Sequence, residues 1–115
     1  MSTTFHLVAA AYFEAGDADA SYVPEAFEQD GFIHCTDGID NVVKVANRYY
    51  QDDRRDYLLL VIDTTKVQAP IVYEDPDRIY PHIYGPLNRD AIVETLPVPR
   101  AADGAFLAPQ DSPTW

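Results

Sequence analysis

The run Tyr57-Leu58-Leu59-Leu60-Val61-Ile62, bounded by Asp56 and Asp63, constrains the fold more than any other stretch of this chain. A strand turns successive side chains to opposite faces, so an unbroken apolar run puts apolar groups on both. Such a strand needs cover on each side. It is far shorter than the ~20 residues of a membrane-spanning helix. The N-terminus, from Met1 to His6, has neither a basic region nor a long apolar run, so no secretory segment is expected.

The clearest helix follows from Ile39, Val42, Val43, Ala46, Tyr49 and Tyr50, which repeat at the spacing of one buried helical face. Thr36 or Asp37 is expected to accept from its first amides, and Asp40 suits the positive end of its dipole. Further strands are expected at Thr4–Ala9, Phe32–Cys35, Ile71–Glu74, Ile79–Tyr84 and Ala91–Leu96. A short helix is expected at Ala10–Ala15, closed by Gly16, and a helical turn at Pro24–Glu28. Leu87–Asp90 reads as a tight turn, and the proline- and glycine-bearing stretch 98–115 as an irregular tail. Strands outnumber helices and do not alternate with them, which excludes a doubly wound sheet. The expected fold is α+β: one compact domain spanning 1–115, with a core of about 4–97, two small mostly antiparallel sheets and few helices.

The formal net charge is −11. That repels phosphate backbones and anionic lipid surfaces, so neither general nucleic-acid binding nor membrane binding is expected. The lone cysteine, Cys35, excludes a disulfide framework and a cysteine-based zinc centre. It reads as a small buried hydrophobe in a reducing compartment, which suggests a cytoplasmic protein.

The three histidines, His6, His34 and His82, each sit in an apolar, strand-like frame that soon breaks. A strand that runs into a turn is a rigid mount for a side chain able to act as acid, base or hydrogen-bond partner near neutral pH. The expectation is one cleft shared by all three. Thr36 adds a hydroxyl, and the helix start near Gly38 adds free amides suited to a phosphate. Tyr49, Tyr50, Tyr80 or Tyr84 would stack rings, and Arg48 or Arg89 would offset phosphate charge. Glu74, beside Asp75 and Asp77, reads as part of a solvated acidic turn. A three-histidine zinc site is an alternative, but the spacing holds no His-x-x-x-His pair, and no metal is expected.

The segments Gly31-Phe32-Ile33-His34-Cys35-Thr36, Ala46-Asn47-Arg48-Tyr49-Tyr50, Leu59-Leu60-Val61-Ile62-Asp63, Tyr73-Glu74 and Pro81-His82-Ile83-Tyr84-Gly85-Pro86-Leu87-Asn88 closely resemble the bacterial family called domain of unknown function 952. Phe5-His6-Leu7 is similar to that family's start, and the resemblance extends to about Phe106. It implies a fold like that of the ADP-ribosyltransferases, with two small sheets around an NAD cleft. It implies His6 in the first-strand position, His34 with Thr36 near the second, and His82 with Asn88 at the late position. The late-strand glutamate of that pattern has no clear counterpart here. The resemblance thus implies NAD or an ADP-ribose compound as ligand and possible substrate. His34 and His82, with Thr36, are then the expected catalytic groups, and His6, Gly38, Tyr84, Asn88 and Arg48 the expected ligand-binding groups. A non-catalytic module for a nucleotide-like ligand or another protein stays open as the alternative.

Overall fold

The computed structural model describes residues 2–109 of the chain. The apolar run forms β3 (Tyr57–Asp63), the central strand of an antiparallel sheet. On one side it pairs with β1 (Thr3–Ala9), from Thr3 opposite Asp63 to Ala9 opposite Tyr57. On the other it pairs with β6 (Ile92–Pro97), with a register shift between Val61 and Ile62.

The alternation within β3 decides what covers it. Tyr57, Leu59 and Val61 join a core with Phe5, Leu96, and Val42 and Ala46 of the helix α3 (Ile39–Tyr49). Leu60 and Ile62 face the opposite way, into a core with Val8, Tyr22, Ile33, Cys35, Ile83 and Leu87. Each such side chain contributes about 1.5–3 kcal/mol when fully buried. The chain therefore stacks as helix, large sheet and small sheet.

The small sheet is also antiparallel and runs β2 (Ile33–His34), β5 (Pro81–Ile83), β4 (Ile71–Tyr73). Ile33, Ile83 and Ile71 lie in one cross-strand row, and His34, His82 and Val72 in the next. Because side chains alternate, the isoleucine row packs inward and the histidine row faces out. The two sheets are stitched by Phe5 and Thr36, which exchange both backbone hydrogen bonds, at 3.1 and 2.8 Å.

Several local expectations are corrected. Helix α3 is capped by neither Thr36 nor Asp37. Its N-cap is Gly38, at φ 84°, with no side-chain cap. Thr36 is committed to Phe5 through its backbone, and the Asp37 carboxylate accepts from the Tyr73 hydroxyl instead. Tyr49, the last residue of α3, is 67% exposed although it lies about 20° around the helix from buried Val42. The turn expected at Pro24–Glu28 becomes the one-turn helix α2 (Phe27–Asp30), ended by Gly31 in the left-handed region. β5 is shorter than Ile79–Tyr84, since the amides of Ile79 and Tyr80 are taken by the Asp75 carboxylate.

The segment from 98 onward also differs from an irregular tail. Val98 and Phe106 are buried in the core under α3. The Asn47 amide group pairs with both backbone groups of Phe106, at 2.7 and 3.1 Å. Arg100 donates to the carbonyls of Gln51, Asp53, Arg55 and Gly104 while lying over the Phe106 ring. The part of that expectation covering 110–115 lies outside the described residues. Among the described residues, no helix is long and apolar enough to cross a membrane.

Candidate functional site

The outward row of the small sheet gathers the polar chemistry. His34 and His82 are cross-strand partners, with ring centroids 5.3 Å apart. Phe32, two residues before His34, stacks on His82 at 4.0 Å and meets Tyr84 at 5.3 Å. Each histidine is backed by a carboxylate: His34 Nε2 lies 3.0 Å from Asp30 Oδ2, and His82 Nδ1 lies 2.9 Å from Glu74 Oε1. The Tyr84 hydroxyl donates to that same Glu74 oxygen.

These bonds fix what each group offers. A carboxylate accepts, so the neutral rings carry their protons on His34 Nε2 and His82 Nδ1. That turns His34 Nδ1 and His82 Nε2 into lone-pair sites, neither bonded to any described residue. A carboxylate orienting an imidazole is the arrangement of an oriented general base. Bonds from Tyr84 and then His82 hold the Glu74 carboxyl below its ordinary range, so it stays ionised at neutral pH. The same bond pushes the Tyr84 phenol up. Glu74 Oε2 has no partner among the described residues.

His6 does not join this row. It is buried in β1, where Nδ1 lies 2.6 Å from the His34 carbonyl and Nε2 lies 2.8 Å from the Tyr22 hydroxyl. The carbonyl can only accept, so Nδ1 carries the proton and Nε2 accepts from Tyr22. Burial pushes the imidazole pKa down to about 4, against the raising effect of the bond to His34. Burial likewise pushes the Tyr22 phenol up. His6 thus supports β2 from below as a neutral ring. This corrects the shared three-histidine cleft and removes the geometry of a three-histidine metal site. No cluster of metal-ligating side chains occurs among the described residues.

The remaining expected site residues scatter. Thr36 is buried at the junction of the sheets. Gly38 and Arg48 stand near opposite ends of α3, about 15 Å apart at 1.5 Å per residue. Arg48 lies over the Tyr49 ring. At the Gly38 end, Asp37 sets its own negative charge beside the helix start, with Oδ1 unpartnered among the described residues, which disfavours a phosphate there. Asn88 braces a turn, bonded to Lys66 O, the Gln68 amide and Asp90. Cys35 is buried, and its thiol pKa is raised by burial.

Sequence reasoning brought out His34, His82 and Tyr84, read Glu74 as part of a solvated turn, and missed Phe32 and Asp30. The missing signal was parity. Val72 pairs with His82, so Glu74, two residues on, emerges on the same face.

A model of the family described as "Protein of unknown function (DUF952)" matches residues 7–95. No curated protein matches the chain. Among solved structures, the crystal structure of protein CC0527 from Caulobacter crescentus has a TM-score of 0.77 at 18% identity, covering 92% of this chain and 94% of that one. The solution NMR structure of CC0527 has a TM-score of 0.71 at 20% identity, covering 96% and 93%. Likeness at that identity attests the fold alone.

Proposed function

We propose, for a chain that belongs to the DUF952 family, that the outer face of β2-β5-β4 binds NAD or a related ADP-ribose compound and acts at its nicotinamide–ribose bond. The observation that carries this reading is Glu74, an ionised carboxylate held beside His82 and Tyr84. As nicotinamide leaves and water or another hydroxyl adds to the anomeric carbon, positive charge builds on the sugar, and a fixed carboxylate stabilises it, as in glycoside hydrolysis. Glu74 would thereby fill the role that the ADP-ribosyltransferase resemblance leaves open, although it precedes the His82 segment. Two small antiparallel sheets are in keeping with a fold of that kind. Phe32 and Tyr84 supply ring faces for the departing base, and His34 Nδ1 supplies an acceptor for a ribose hydroxyl.

A second reading is binding without turnover. It is favoured by the openness of the face, since the His34 side chain is 59% exposed and water is not excluded. Calorimetry with NAD and ADP-ribose, followed by assay for released nicotinamide, separates the two. The catalytic reading expects binding tighter than millimolar, slow nicotinamide release, and loss of release with retained affinity in Glu74→Gln. Binding with no release leaves the module reading. Absence of any binding below millimolar removes both.

A further inference from the structure

We infer that the groove between α1 (Ala10–Ala15) and the segment 16–23 is a second binding site, built for a small aromatic monoanion. It shares no lining residue with the histidine face, so the inference does not rest on the NAD reading. The groove is open to solvent, has a volume of about 290 Å³ and is lined by Tyr12, Phe13, Gly16, Asp17, Tyr22 and Arg89, among others. That volume lies at the lower end of small-molecule sites, enough for one substituted ring and too small for a dinucleotide.

The cation in this groove is placed and left open. Arg89 Nε donates to the Ala20 carbonyl at 2.7 Å, and the guanidinium lies 5.0 Å from the Phe13 ring centroid. Its two terminal nitrogens bond to no described residue, and no described carboxylate forms an ion pair with it. Arg55, by contrast, is paired with Asp53 and Glu25, and Arg100 is engaged with four carbonyls. A guanidinium held at Nε presents its other edge as a two-pronged donor matched to a carboxylate. Glycine at position 16 keeps that edge close to the backbone, since a Cβ there would lie 3.1 Å from Arg89 Nη2.

The walls define the rest of the ligand. Tyr12, Phe13 and Tyr22 meet edge to face, with centroids 5.5 and 6.4 Å apart. Tyr22 is buried, so a ligand ring would rest on the half-buried Tyr12 and Phe13. Asp17, whose Oδ1 accepts from the Asp19 amide, sets one negative charge in the lining against the one positive charge of Arg89. That negative charge repels a polyphosphate more strongly than a single carboxylate, which the Arg89 fork alone must hold.

The test titrates the full chain with benzoate, benzamide and acetate by calorimetry, with NMR shift mapping. Benzoate is expected to bind with a Kd of about 1 mM or tighter, and the neutral amide and the ringless acid at least about tenfold more weakly. Arg89→Lys keeps the charge but loses the fork, and should weaken benzoate about tenfold or more. Gly16→Ala, a milder change in case Arg89 variants fold poorly, should weaken it in the same sense. Shifts on wild type should fall at Phe13 and Tyr22 and spare Phe32 and His82. The inference is overturned if benzoate fails to saturate, if benzamide binds equally well, if both variants bind as wild type does, or if the shifts map to the histidine face.

Discussion

The two sheets treat the same side chain in opposite ways. His6, in the large sheet, is buried, neutral and saturated by Tyr22 and a carbonyl. His34 and His82, in the small sheet, stand on an outer face with one nitrogen each left over. All three sit in similar apolar frames, so the frame did not decide their fate. Cover did. The large sheet has α3 against one face and the small sheet against the other. The small sheet is covered once, and its alternate residues stay outside the core. A sheet buried twice turns a histidine into a brace, whereas a sheet buried once can present it to a ligand.

The largest effect expected from this contrast is on stability. Leu60→Ala, in the doubly covered strand, should cost about 2–5 kcal/mol in urea unfolding. Val72→Ala, beside His82 on the open face, should stay within about 0.5 kcal/mol. A large loss at Val72 would mean that the outer face is covered after all.

Next in size is the pH response of His6. Its folded pKa of about 4 lies below the ordinary 6.5, so between those values the unfolded chain binds more protons. The stability it contributes is full above pH 6.5, falls as pH drops toward 4, and changes no further below that. The total is about 3 kcal/mol, at 1.36 kcal/mol per pH unit. Unfolding midpoints measured across that window should slope in wild type and flatten in His6→Gln. An equal slope in the variant would assign the effect elsewhere.

Arg100→Ala should cost about 1–3 kcal/mol, because four carbonyls lose a charged donor. Arg100→Lys should recover little of it, as an ammonium cannot span that set. Wild-type stability in both would show that the segment after Pro97 is dispensable. The smallest stability effect belongs to His34→Ala, expected below about 0.5 kcal/mol because its hydrogen bond with Asp30 is exposed. The same variant should weaken NAD or ADP-ribose binding by about 1–3 kcal/mol, and that split between stability and affinity is the sharpest form of the contrast.

Periodicity made α3 legible, and an unbroken apolar run made β3 legible, because each carries its burial pattern within its own residues. Contacts set by pairing were harder to read. His34 and His82 pair at a sequence separation of 48, which similar frames suggest but do not specify. Glu74 looked like part of an acidic turn, since its partners lie on the next strand and its neighbours in sequence do not reveal them. The segment after Pro97 looked irregular because its anchors, Asn47 and Arg100, work through backbone groups whose partners composition does not encode.

The order of strands has a consequence for synthesis. Ala9 must wait for Tyr57, the nearest of its sheet partners, and Thr3 for Asp63. At ~5–20 residues per second, β1 is made about 2–10 s before the strand that shelters it. Among the described strands only β4 and β5 pair at short range, with Tyr73 opposite Pro81. The rest of the pairing is non-local, which places folding in the slow range of small domains. During that interval the apolar residues of β1 await the strand that shelters them, and the nascent chain is most open to wrong partners before its central strand exists.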